Sequence, residues 1–271
     1  TEAYSLVDSR LYPAPYAALA TNALSDFLNV SASRVFVGNG LDDVIDKLTR
    51  ALLSPKSSLV AIVEPTFVMY RYYAQICGAR ILPVYLNPDF SLDVKKLLAK
   101  CSKASLLFLC SPNNPTGNQF AMEDVQTILE KFDGLLVLDE AYVEYSNGSL
   151  VNLTNQFDNL AVLRTFSKAF GLAGLRAGYV VADREIVDIL RRTSSPFSVG
   201  SLTQQVIVSA IRNWDYFRKS VQLTIEERTR LLLELSKIDG IRPYPSRANF
   251  ILFRITKHDV CLLYTSDAAD E

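Results

Sequence analysis

Lys168 stands in Thr165-Phe166-Ser167-Lys168-Ala169-Phe170-Gly171, among hydroxyls and small residues, and Arg176 follows eight positions later. A lysine amine condenses with a carbonyl, and a guanidinium fork matches phosphate oxygens two at a time. The pair therefore suits a ligand with an aldehyde at one end and a phosphate at the other. A solvated Ser-Lys turn with a surface arginine has the same composition, so the reading depends on what else the chain brings to the same place.

Four further segments carry such residues. Asp139 follows four apolar residues, Leu135 to Leu138, so its carboxylate is expected at the mouth of a buried strand, where an unpaired charge is costly. A protonated pyridine nitrogen would be a suitable partner; a helix N-cap would also explain an aspartate at a strand end. Gly38-Asn39-Gly40-Leu41-Asp42-Asp43 reads as a glycine turn opening a helix, which leaves backbone N–H groups and the positive end of a helix facing an anion. Asn114, before Pro115, and Tyr142 could both donate to a phenolic oxygen, and the Asn114-Pro115 bond is a candidate cis peptide. Phe67, in Glu64-Pro65-Thr66-Phe67, could stack on a flat ring or simply serve the core.

The elements that must position these residues alternate. Apolar runs at 34–37, 59–63, 80–84, 106–110, 135–138, 160–163 and 178–182 read as strands, and helical periodicity occupies 42–53, 67–77, 94–99, 122–132 and 185–192. That alternation specifies an α/β fold with a mostly parallel sheet and helices on both faces. In such sheets reactive groups collect in loops beyond the carboxyl ends of the strands, where the residues named above fall. From 202 to 237 the helical pattern is nearly continuous, and a strand at 250–255 follows Pro243 and Pro245, as at the start of a smaller α+β domain. The expected division is a large domain over 1–225, with 1–15 as an arm, and a small domain over 226–260. Residues 261–271 read as translated sequencing-adapter DNA and are set apart from the fold.

Composition narrows the classes. The 271 residues are 49% hydrophobic, enough for a sizeable core, and the formal charge of −1 provides no field for nucleic acid or an anionic membrane. Four cysteines without paired short spacing and a single histidine, His258, exclude the usual zinc sets and a histidine-based catalytic centre, so no metal is expected. No apolar run reaches the roughly 18–20 residues that span a bilayer. A cytoplasmic protein with reduced thiols is the simplest expectation.

Taken in chain order, the glycine turn, Phe67, Asn114-Pro115-Thr116-Gly117, Asp139-Glu140-Ala141-Tyr142 and Ser167-Lys168 with Arg176 resemble the fold type I pyridoxal-phosphate aminotransferases. The resemblance covers about 11–255. It implies that Lys168 holds the aldehyde of pyridoxal phosphate and Asp139 pairs with its ring nitrogen, while Asn114 and Tyr142 hold the phenolic oxygen. By the same resemblance Gly40, Leu41, Thr165, Ser167 and Arg176 surround the phosphate and Phe67 covers the ring. Tyr12 would reach the phosphate region of a neighbouring subunit, which implies a homodimer.

The implied activity moves an amino group between L-histidinol phosphate and 2-oxoglutarate, with glutamate as the other amine, in histidine biosynthesis. An aromatic amino-acid aminotransferase or a phosphothreonine decarboxylase on the same scaffold remains an alternative. A nucleotide-binding α/β protein is more remote, because neither the Walker lysine pattern nor spaced dinucleotide glycines are present. Family members begin some tens of residues earlier and end with the rest of the small domain, which supplies substrate-binding arginines; Arg247 and Arg254 lie too early for those roles.

Overall fold

A computed structural model describes residues 7–257; His258 and the adapter-like segment lie outside them. The chain first forms helix α1 (Ala18–Leu28) and then alternates: β1 (Val35–Gly38), α2 (Leu41–Leu52), β2 (Leu59–Glu64), α3 (Met69–Ile76), β3 (Arg80–Tyr85), α4 (Val94–Cys101), β4 (Leu106–Cys110), α5 (Met122–Lys131) and β5 (Leu135–Asp139). Strands β6 (Leu160–Thr165) and β7 (Gly178–Val181) lead to α6 (Arg184–Arg192), α7 (Ser201–Arg212), α8 (Trp214–Ser236), β8 (Ile241–Pro243) and β9 (Phe253–Ile255).

Seven strands make one sheet in the order β1-β7-β6-β5-β4-β2-β3, and all its pairings are parallel except the two made by β7. The fold is α/β, as expected. Central strands read as unbroken apolar runs because both faces are covered. Leu107 and Leu109 of β4 enter one core with Leu24, Leu97, Val125, Ile128 and Ile207. Leu106 and Phe108 enter the other with Val44, Ile45, Leu48, Tyr70 and Leu190.

Because β7 runs antiparallel, its first residue lies at the carboxyl edge of its neighbours. Gly178 pairs with Gly38 of β1 and with Thr165 of β6. This direction returns Arg176 to the edge where β1, β4, β5 and β6 end. A Cβ on Gly178 would sit 2.5 Å from the Leu41 nitrogen, so only glycine lets β7 pass this close to the start of α2.

The expected helices and the strands of the large sheet recur within two residues of their bounds, and four differences have local causes. Helix α1 has no polar N-cap, since its cap is Ala17 with φ 53°, so no start signal marks it. The pattern over 202–237 divides at Asn213, whose Nδ2 donates to the Ser209 carbonyl at 2.8 Å while its own carbonyl accepts from Tyr216 N. A side chain that bonds the preceding turn ends one helix there and begins the next. Strand β9 starts at Phe253 rather than at 250, because Phe250 turns to the large sheet and meets the Tyr142 ring edge-on at 5.1 Å. The small sheet pairs β9 antiparallel with β8, a strand that two prolines had hidden from the sequence reading. Among the described residues no helix is long and apolar enough to cross a membrane.

Candidate active site

The carboxyl edge of the sheet opens into a cavity of about 230 Å³. Lys168, Asp139, Tyr142, Asn114, Phe67, Thr165, Ser167, Leu41 and Arg176 all line it. Four strand ends and the start of α2 therefore deliver nine of the eleven residues singled out in the sequence to one place. Gly40 adjoins the wall: a Cβ there would lie 2.9 Å from Nη2 of Arg176, and its φ of 93° suits glycine. Tyr12 is not brought to this cavity. It is 82% exposed and stacks on Phe197, with ring centroids 4.9 Å apart.

One end of the cavity is cationic and rich in donors. Arg176, held in the left-handed region at φ 49°, faces the start of α2, whose first-turn N–H groups have no partner within the helix. Asp43 stabilises the Gly38–Gly40 turn by accepting from Asn39 N at 2.8 Å. Thr165 Oγ1 donates to the Ala177 carbonyl and accepts from Ser167 N, so its hydroxyl shapes the turn that carries Lys168.

At the other end lies Asp139, buried at the tip of β5. Its Oδ1 accepts from Ala141 N at 2.9 Å and its Oδ2 from the Tyr70 hydroxyl at 2.5 Å. Burial pushes the carboxyl up to about 6, against the lowering effect of those two hydrogen bonds. The apolar run before Asp139 implies a cationic partner here, and no signal in the sequence points to Tyr70. At three positions after Phe67 on a helix, its spacing marked only a core residue.

Between the two ends, Lys168 Nζ lies over the Tyr142 ring, 5.3 Å from its centroid. Burial raises the Tyr142 phenol to about 12, so it stays a donor at neutral pH. The Asn114-Pro115 bond is cis, as are Ser111-Pro112 and Glu64-Pro65. Asn113 joins these loops, donating to the Pro65 carbonyl and accepting from the Thr66 hydroxyl, both at 2.8 Å. Its side chain thereby fixes the Phe67 segment against the loop that presents Asn114.

An amine, a buried carboxylate with lone pairs to spare and a guanidinium beside free N–H groups line one small cavity. These residues fit pyridoxal phosphate, whose aldehyde, ring nitrogen and phosphate need those three kinds of group. Among the described residues no cluster could hold a metal ion.

The chain is similar to known proteins in sequence and in fold. The histidinol-phosphate aminotransferase of Thermoanaerobacter sp. (strain X514) is 41% identical over 251 residues, which make up 92% of this chain and 71% of that protein. The crystal structure of the histidinol-phosphate aminotransferase from Clostridium acetobutylicum superposes with a TM-score of 0.88 at 23% identity, over 96% of this chain and 79% of that one, which shows the fold. That of histidinol-phosphate aminotransferase from Sinorhizobium meliloti, in complex with pyridoxal-5'-phosphate, gives 0.87 at 25% identity, over 94% and 70%. The profile of aminotransferase class I and II matches residues 4–269. With nearly its whole length matched and its candidate site residues gathered at the strand ends, the chain belongs to the class I and II aminotransferases.

Proposed function

We propose that this chain is a pyridoxal-phosphate-dependent aminotransferase that moves an amino group between L-histidinol phosphate and 2-oxoglutarate. The observation that carries the chemistry is the single cavity lined by Lys168, Asp139 and Arg176. The choice of substrate is supported by 41% identity to a histidinol-phosphate aminotransferase over 92% of the chain. Bound pyridoxal phosphate supplies an aldehyde that links to amines and an electron-poor ring that draws charge from the adjoining carbon.

The chain's own residues hold and steer that chemistry. Arg176, Ser167 and the N–H groups around Gly40 and Leu41 hold the phosphate, with Thr165 shaping the turn. Asp139 stays anionic toward the ring nitrogen and so favours its protonated form. Asn114 and Tyr142 donate to the phenolic oxygen, which favours the oxyanion, and Phe67 covers one ring face. Lys168 Nζ would hold the aldehyde carbon, and when free would serve as the base that moves the proton at the substrate carbon. Because two half-reactions share one site, ping-pong kinetics follow.

The proposal includes a cytoplasmic homodimer in which exposed Tyr12 reaches the partner's phosphate region. It also keeps a large domain over 1–225 and a small domain over 226–260, although α8 runs through position 225 without a break. The test mixes the protein with pyridoxal phosphate and traps the visible band with borohydride. Label on Lys168, and no band in Lys168→Ala, is the expected result; a band that survives the substitution overturns the lysine assignment. With the full-length gene product, faster turnover of phenylalanine than of histidinol phosphate would overturn the substrate.

A further inference from the structure

We infer that Tyr70 is a positioning residue of this site, its phenol O–H fixing the carboxylate of Asp139 toward the cavity. The inference rests on reading Asp139 as the partner of the ring nitrogen. Tyr70 is fully buried on α3, three residues after Phe67, and both line the cavity. Its ring lies nearly parallel to that of Phe108 in β4, at 8° with centroids 4.8 Å apart, and Phe67 meets it edge-on at 5.6 Å. The phenol is thus held between the floor of the sheet and the residue proposed to cover the cofactor.

That clamp decides where Asp139 points. Oδ2 takes the Tyr70 proton and Oδ1 takes Ala141 N–H, so both oxygens are anchored and each keeps a lone pair for a cation on the cavity side. Asp42 and Lys168 act on the carboxyl through their charge, Asp42 raising it and Lys168 lowering it, and Cys110 does not compete for the role of Tyr70. Burial pushes the Cys110 thiol up, so it remains neutral, and its Sγ donates to the Pro112 carbonyl. Burial, and then the charge of Asp139, push the Tyr70 phenol well up, so it stays protonated and can only donate to the carboxylate. Phenylalanine would satisfy every apolar contact described for Tyr70. What it lacks is the hydroxyl whose hydrogen bond, alongside that of Ala141, favours the charged carboxylate in a buried place.

The test compares Tyr70→Phe with Asp139→Asn through two readouts. One is the infrared signal of the protonated carboxyl in the cofactor-free protein; the other is the acid-side transition of the visible spectrum with pyridoxal phosphate bound. Tyr70→Phe should bind one cofactor per chain, melt close to the parent, and raise the carboxyl midpoint by about one pH unit, since losing a hydrogen bond to a charged group acts on that scale. The visible transition should move the same way. Replacing Tyr70 with 3-fluorotyrosine, a stronger donor of the same shape, should lower both midpoints; it decides the matter if Tyr70→Phe fails to fold.

An unmoved midpoint in Tyr70→Phe, or in the fluorotyrosine protein, while Asp139→Asn removes the infrared transition and alters the visible spectrum, overturns the role of Tyr70 and leaves that of Asp139 standing. If Asp139→Asn leaves the visible spectrum unchanged, the reading of Asp139 falls, and the inference with it.

Discussion

The carboxylate of Asp42 lies 3.3 Å from Nη2 of Arg176, both residues lining the cavity and both partly exposed. An arginine placed to grip an anionic ligand is thus engaged by an acid from the first turn of α2. Phosphate entering that end must displace or share this contact.

Replacing Asp42 with asparagine therefore favours the ligand. A half-exposed ion pair contributes at most about 1 kcal/mol, so protein stability should change by less than that while phosphate affinity rises about two- to five-fold. Calorimetric titration with inorganic phosphate at low and high salt checks this, and the gain should shrink as salt screens the site. Weaker binding in Asp42→Asn would mean that Asp42 orients Arg176 rather than competing for it.

Gly178 supplies a second prediction. A Cβ there would meet the Leu41 nitrogen at 2.5 Å and the Gly40 carbonyl carbon at 2.7 Å, and both are backbone atoms that cannot swing aside. Gly178→Ala should cost about 1–3 kcal/mol and weaken cofactor binding together with stability, because the displaced atoms belong to the phosphate turn. Thermal melting with and without pyridoxal phosphate would show it. A variant as stable as the parent would mean that β7 shifts freely, against its pairing on both sides.

These cases show which parts of the site could be read from sequence. Asp139, Asn114 and Lys168 end or follow apolar runs, and a buried parallel strand makes such a run conspicuous. Their meeting follows from topology, since parallel strands share one carboxyl edge. Arg176 reaches that edge only because β7 reverses, and an apolar run does not encode its own direction. Tyr70 and Asn113 escaped for another reason. Each acts through a partner far along the chain, Asp139 in one case and Pro65 in the other, while its neighbours in sequence suggest a helix face or an Asn-Pro turn. Helix α1 and the break at Asn213 depend on cap geometry that apolar spacing does not carry.

The buried Asp139 sets a pH dependence in the cofactor-free protein. Its folded value, raised to about 6 by burial, lies above the 3.8 of an exposed aspartate. The folded state then holds the proton more tightly, so this group's contribution to stability falls as pH rises between those values and is level above them. Asp139→Asn removes the penalty. Its melting temperature should match the parent near pH 4 and exceed it above pH 6, while its cofactor affinity falls. A cofactor-free Asp139→Asn protein that is less stable at pH 7 would show that Tyr70 and Ala141 already outweigh the burial.

Behind Asp139 a second buried group bears on the same strand ends. Arg164 Nη2 donates to Glu144 Oε1 at 2.6 Å, both side chains nearly buried, and Glu140 lies close enough to feel the arginine's charge. Glu140 accepts from Leu150 N at 2.7 Å and from the Ser149 hydroxyl, so the loop after Tyr142 is moored to it. Burial pushes Glu140 up to about 7, and Arg164 is the largest influence holding it down. Arg164→Met leaves two buried carboxylates without a cation and should cost about 3–5 kcal/mol at pH 8. The loss should be smaller at pH 5, because Glu140, raised to about 7 by burial even with the arginine present, is then protonated in the folded state; its folded value lies above the 4.5 of an exposed glutamate, and stability falls as pH rises through that gap. Adding Glu144→Gln should recover part of the loss, since one buried charge is gone. Denaturant unfolding of the two variants at both pH values tests this, and a loss independent of pH would assign the cost to packing around the arginine's stem instead of to charge.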